Sequence, residues 1–71
     1  MMQQSIELLK AYRDNRLVGQ SPRRYIDDDG HEVLSSMLSF IELMKAYLIV
    51  GVDDYKLEIS NEGLSYLDSL A

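Results

Sequence analysis

The densest run of metal-ligating and acid–base side chains in the chain is Asp27-Asp28-Asp29-Gly30-His31-Glu32. Setting Gly30 on the invariant glycine of a calcium-binding loop puts Asp27 and Asp29 at ligand positions. Tyr25 then falls at the first position and Ser36 at the twelfth, where carboxylates are needed. His31-Glu32 also opens like the helix of a zinc protease, but the second histidine, due four residues on, is Ser35. Both motifs fail at obligatory positions, so the run is expected to be a solvated turn leading into a helix, with no metal and no cofactor.

Other catalytic constellations are missing in the same way. His31 is the only histidine and there is no cysteine, which removes a thiolate nucleophile, a disulfide framework and a zinc site of cysteine and histidine ligands. Neither a nucleophile elbow nor a phosphate-cradling glycine loop accompanies His31, and a chain of 71 residues has little core in which to build a cavity. The expectation is a protein that is not an enzyme. Tyr12, Tyr25, Tyr47, Tyr55 and Tyr66 have the chemistry to stack on bases, but tyrosine more often sits at a core margin with its hydroxyl wet. Met37 and Met44 read as packing.

Charge is the remaining chemical signal. The net charge of −5 opposes indiscriminate attraction to nucleic acid or to an anionic membrane. It is unevenly spread: residues 1 to 24 hold five basic and two acidic side chains, residues 25 to 71 two basic and ten acidic ones. Lys10, Arg13 and Arg16 recur every third residue, and Arg23 and Arg24 follow the only proline. These five are the candidate nucleic-acid-binding residues, able to contact phosphates or an acidic partner; equally, they could serve only to balance the acidic half of the chain. The start lacks the basic and apolar run of a signal peptide, and no apolar stretch approaches a membrane span, so a cytoplasmic setting without a membrane partner is expected.

These side chains must be positioned by a few short elements. At 100° per residue Met2, Leu8, Leu9 and Tyr12 share one side of a helix over residues 2 to 14, which should stop near Asn15, a residue tolerant of the left-handed conformation. Residues 16 to 30 have no sustained period. Ser21-Pro22 suits the start of a short helix; alternatively, Arg24-Tyr25-Ile26 forms a strand turning at Asp27 to Gly30. From Glu32 to Leu48 a long helix is expected: Val33, Leu34, Met37, Leu38, Phe40, Ile41, Met44 and Leu48 lie in one arc, with Glu32, Ser35, Ser39 and Glu42 opposite. An aspartate at 27 to 29 would cap it, and Lys45 would lay its stem along the core edge. Leu43 and Tyr47, with Phe40 behind them, widen the arc beyond one chain's needs and form a candidate interface for a homodimer, which so short a domain has reason to form. A hairpin follows, with strands at 48–52 and 55–59, a turn at Asp53-Asp54, and Tyr55, Leu57 and Ile59 facing inward. Ser60 or Asn61 then caps a last helix bearing Leu64, Leu67 and Leu70.

The order of helix, hairpin and capped helix resembles the second half of a winged-helix domain. Glu42-Leu43-Met44-Lys45-Ala46-Tyr47-Leu48-Ile49-Val50 is similar to the end of a recognition helix and its wing strand, and Ile59-Ser60-Asn61-Glu62-Gly63 to the return strand and terminal helix. The resemblance spans about residues 42–70. It implies one winged-helix-like domain over residues 1–71, mainly α with a small β-hairpin: helix, linker or short helix, long helix, hairpin, terminal helix. It also implies a DNA-associated transcriptional regulator. The chain departs from the pattern where it matters for DNA, since the helix face that would enter the major groove offers Glu32, Ser35, Ser39 and Glu42, and the wing tip is Asp53-Asp54. Any phosphate contact would therefore fall to the amino-terminal basic group. The competing expectation is an acidic module that binds another protein, as an adaptor or as a mimic of nucleic acid.

Overall fold

The computed structural model describes residues 1–71. Helix α1 spans Gln3–Arg13 and buries Ser5, Leu8, Leu9, Ala11 and Tyr12. It ends where the sequence predicts. Asn15 takes the left-handed conformation at φ 55, and the Arg16 N–H turns back to the Ala11 carbonyl at 2.9 Å, satisfying a terminal acceptor.

Residues 16 to 30 take the strand alternative. Strand β1 (Arg24–Ile26) pairs antiparallel with β2 (Glu32–Leu34), Arg24 opposite Leu34 and Ile26 opposite Glu32. Leu17 bridges to Tyr25 on the other side of β1. The acidic run makes the turn: one Asp27 carboxylate oxygen accepts the Asp29 and His31 N–H groups at 3.0 and 2.8 Å, and Gly30 supplies a φ of 82.

This pairing corrects the long helix expected over residues 32 to 48. Glu32 to Leu34 are extended, and the helix α2 covers only Met37–Lys45. Its cap is Ser36, whose hydroxyl accepts from the Ser39 N–H at 3.1 Å, rather than an aspartate at 27 to 29. Tyr47, at φ 58, ends it, with the Leu48 N–H donating to the Leu43 carbonyl at 3.0 Å.

Strand β3 (Ile49–Asp53) then pairs with β4 (Lys56–Ile59), with a register shift between Gly51 and Asp53. Tyr55 lies in the turn and is 95% exposed, against the expectation that it faces inward. Helix α3 (Asn61–Leu70) starts from Ser60, whose hydroxyl oxygen accepts the Gly63 N–H at 2.9 Å and whose proton goes to the Tyr47 carbonyl at 2.6 Å.

Three helices and four strands in two separate antiparallel hairpins make an α+β fold. The expectation of a mainly α chain with one small hairpin is overturned by the β1–β2 hairpin, which takes residues expected in a linker or short helix and in the start of the long helix. The core is Leu8, Leu9, Ala11, Tyr12, Tyr25, Leu43, Leu48, Ile49 and Leu67. No helix is long and apolar enough to cross a membrane.

Candidate functional site

Helix α2 is turned opposite to its apolar arc. Ser39 and Leu43 are buried, as is Ser35 just before the helix, while Leu34, Met37, Leu38, Ile41 and Met44 face outward. Leu38 is 69% exposed. The reason lies at the seam with α1, which serine hydroxyls hold together. Ser5 donates to the Ser39 carbonyl at 3.3 Å, and Gln4 Oε1 accepts both the Ser36 N–H at 2.8 Å and the Ser39 hydroxyl at 3.3 Å. Ser35 donates to the Arg23 carbonyl at 2.8 Å. Small side chains let the two helices approach, and every buried hydroxyl has a partner, so polar residues occupy the inside of α2 without a desolvation penalty. At the edge of this seam the Met2 N–H donates to Glu42 Oε1 at 3.0 Å.

The outward residues form one surface. Positions 37, 38, 41 and 44 share a helical face, Leu34 on β2 leads into it, and the only charge on that face is Lys45 at its end. Met1 and Met2 are also largely exposed, and Met2 is tied to the helix flank through its hydrogen bond to Glu42. Single exposed hydrophobic residues are ordinary; five in a continuous stripe are not.

The residues expected to form an interface are separated. Leu43 is fully buried in the intramolecular core, Phe40 is half-buried against that core, and only Tyr47, 71% exposed, is open to a partner. A helical wheel groups residues by face but does not say which face turns inward, which is why the exposed stripe was expected in the core.

The five candidate phosphate-binding residues are mostly engaged. Lys10 lies 3.9 Å from Glu7, Arg13 makes a two-pronged contact with Asp14 at 2.9 and 3.1 Å, and Arg24 pairs with Glu32 at 2.8 Å. Arg16 spans Asp14 at 3.5 Å and Asp28 at 2.9 Å. Arg23 lacks an acidic partner and donates to the Ser35 carbonyl at 3.0 Å. The Arg13 guanidinium holds the Asp14 carboxyl below its ordinary range. Four of the five cations thus carry a local counter-charge, which weakens the field they project toward a distant polyanion. Two features of the expected recognition face are also withdrawn, because Ser35 and Ser39 are buried.

The acidic turn brings Asp27, Asp29 and His31 together, with one ligand atom from each lying within 4.8 Å of the others. One Asp27 oxygen is already taken up by two backbone N–H groups. A separate open groove of about 1080 Å³ runs between the end of α1 and the β3–β4 hairpin, with Arg13, Lys56, Asp53, Asp54 and Glu58 among its lining. It assembles no nucleophile with a base. Compared with known proteins, the chain matches no family model, no curated protein and no solved structure.

Proposed function

We propose that this protein is a protein-interaction module that docks through the outward face of α2. The observation that carries the reading is the inversion of α2, which puts serines in the core and Met37, Leu38, Ile41 and Met44 in water. Leaving that much apolar surface wet is unfavourable at about 25 cal/mol per Å², a cost that docking would remove. The alternative of a DNA-associated regulator has less support, because four of the five basic residues are paired with acids and two residues of the expected recognition face, Ser35 and Ser39, are buried.

Two measurements test this. A photo-cross-linking residue at Leu38 should form protein adducts in cells, while the same residue at Glu62 forms none. Fluorescence anisotropy with mixed duplex DNA at low salt should show no saturable binding. Binding whose logarithmic salt slope is about −0.9 per phosphate neutralised, and which loses roughly two units of slope in an Arg23→Ala, Arg24→Ala double variant, would overturn the proposal in favour of DNA.

A further inference from the structure

We propose that the occupant of the α2 face is a second copy of this chain, docked antiparallel about a two-fold axis near Ile41. The inference rests on the reading of α2 as a docking surface and adds the identity of the partner.

The first argument is symmetry. A two-fold interface must be complementary to itself. Met37, Ile41 and Lys45 form a ridge at four-residue spacing, Leu38, Ile41 and Met44 one at three-residue spacing, and the two cross at Ile41. Antiparallel self-docking therefore sets Ile41 against itself, Leu38 against Met44 and Met37 against Lys45.

The second argument is area. Five side chains, each between about a third and two-thirds exposed, present an apolar surface on the order of 500 Å². A stable dimer buries about 800 Å² per partner, more than half of it apolar at the centre. The stripe is thus large enough to be that centre, with Tyr47, Lys45 and Met2 available for the rim. The chain also has reason to use it: only 14 of 71 residues are buried, and small domains commonly complete their burial by association.

The third argument is charge. Two copies at −5 each repel, so a self-interface must avoid the acids. No carboxylate lies on the stripe. Lys45 is its only charge and makes no ion pair or hydrogen bond within its own chain, unlike the other six basic residues. In the antiparallel arrangement Lys45 lies over the second copy's Met37, at the edge of the contact, where its stem can pack and its ammonium stay in water. A copy of this chain thus supplies the apolar surface and brings no carboxylate onto the stripe.

Sedimentation equilibrium from micromolar concentration to about 1 mM tests the proposal, with a dimer of micromolar Kd expected for an interface of this size. Leu38→Glu should retain its circular dichroism, because the side chain is exposed, and should raise the Kd at least about a hundredfold, since both copies lose a contact. The chain has no cysteine, so Ile41→Cys introduces a single thiol. Near the axis it should oxidise to an intermolecular disulfide at least about tenfold faster than Tyr55→Cys on the opposite hairpin tip. A wild type that stays monomeric throughout, a dimer unaffected by Leu38→Glu, or equal oxidation rates would overturn the dimer. If the wild type is monomeric while the cross-linker at Leu38 still captures other proteins, the docking surface stands and the self-partner alone falls.

Discussion

Gly63 packs directly against the carbonyl oxygen of Leu48, leaving no room for even a methyl group between them. A Cβ at residue 63 would collide with that oxygen and lie 2.6 Å from Ile59 Cγ1. The contact is held from the other side by the Ser60 N–H, which donates to the same carbonyl at 2.9 Å. The start of α3 is thus clamped onto the turn between α2 and β3, and glycine is needed for its missing side chain rather than for its backbone freedom.

Gly63→Ala should destabilise the protein by roughly 3 kcal/mol, because the obstacle is backbone that cannot rotate away. Urea denaturation checks this. A loss below about 0.5 kcal/mol would mean that α3 shifts without cost.

Leu38 and Leu43, five residues apart on α2, should respond in opposite ways. Leu43→Ala opens a cavity in the core and should cost about 2–5 kcal/mol, whereas Leu38→Ala should change the stability of dilute, monomeric protein by no more than about 0.5 kcal/mol. Equal losses would contradict the orientation of the helix.

Tyr47 holds a left-handed conformation at φ 58, which is unfavourable for a residue with a Cβ. Its ring is mostly in water, so Tyr47→Gly should relieve the strain with little lost packing and raise stability by about 1 kcal/mol, or about 5 °C in Tm. Tyr47→Val should lower it. Thermal melts of the two variants decide the point.

Burial raises the Tyr12 hydroxyl from its ordinary 10.0 to about 12, and the hydroxyl donates to the Pro22 carbonyl at 2.8 Å. The folded state therefore holds this proton more tightly than the unfolded one. The resulting stability is fully present below pH 10 and is lost as pH rises toward 12. Tyr25 is raised as well, by burial first and then by Glu7 and Asp27, and acts in the same direction. Denaturation across this range should show a falling stability, and Tyr12→Phe should flatten the fall without abolishing it.

The parts of the fold legible in the sequence are those set by neighbours along the chain. Asn15 ends α1, the β3–β4 hairpin turns at Asp54-Tyr55, one residue beyond the expected Asp53-Asp54, and Ser60 caps α3, each through bonds spanning a few residues. Residues 16 to 30 leave two outcomes open in the sequence and residues 32 to 36 read wrongly as helix, because both depend on pairing between β1 and β2, which competes with a helical pattern that continues through Val33 and Leu34. The orientation of α2 was not legible at all. It depends on Ser5 meeting Ser39, 34 residues away, and a serine that is satisfied inside looks the same in sequence as one facing water. The candidate basic group suffered likewise: the bond from Arg16 to Asp28 crosses 12 residues and joins the segment after α1 to the β1–β2 turn.

The serine seam between α1 and α2 has a consequence for alignment. Contacts between branched apolar side chains are broad and forgiving, so two helices joined only by them can slide by a fraction of a turn with little loss. Hydrogen bonds are directional and short. A displacement of one residue along α1 would part Ser5 from the Ser39 carbonyl and Gln4 from Ser36 at the same moment, leaving the buried Ser5 hydroxyl and Ser39 carbonyl unpaired. The seam therefore works as a key between the helices, permitting one setting and resisting its neighbours, and it fixes the angle at which α2 offers Leu38 and Ile41 to whatever lies outside.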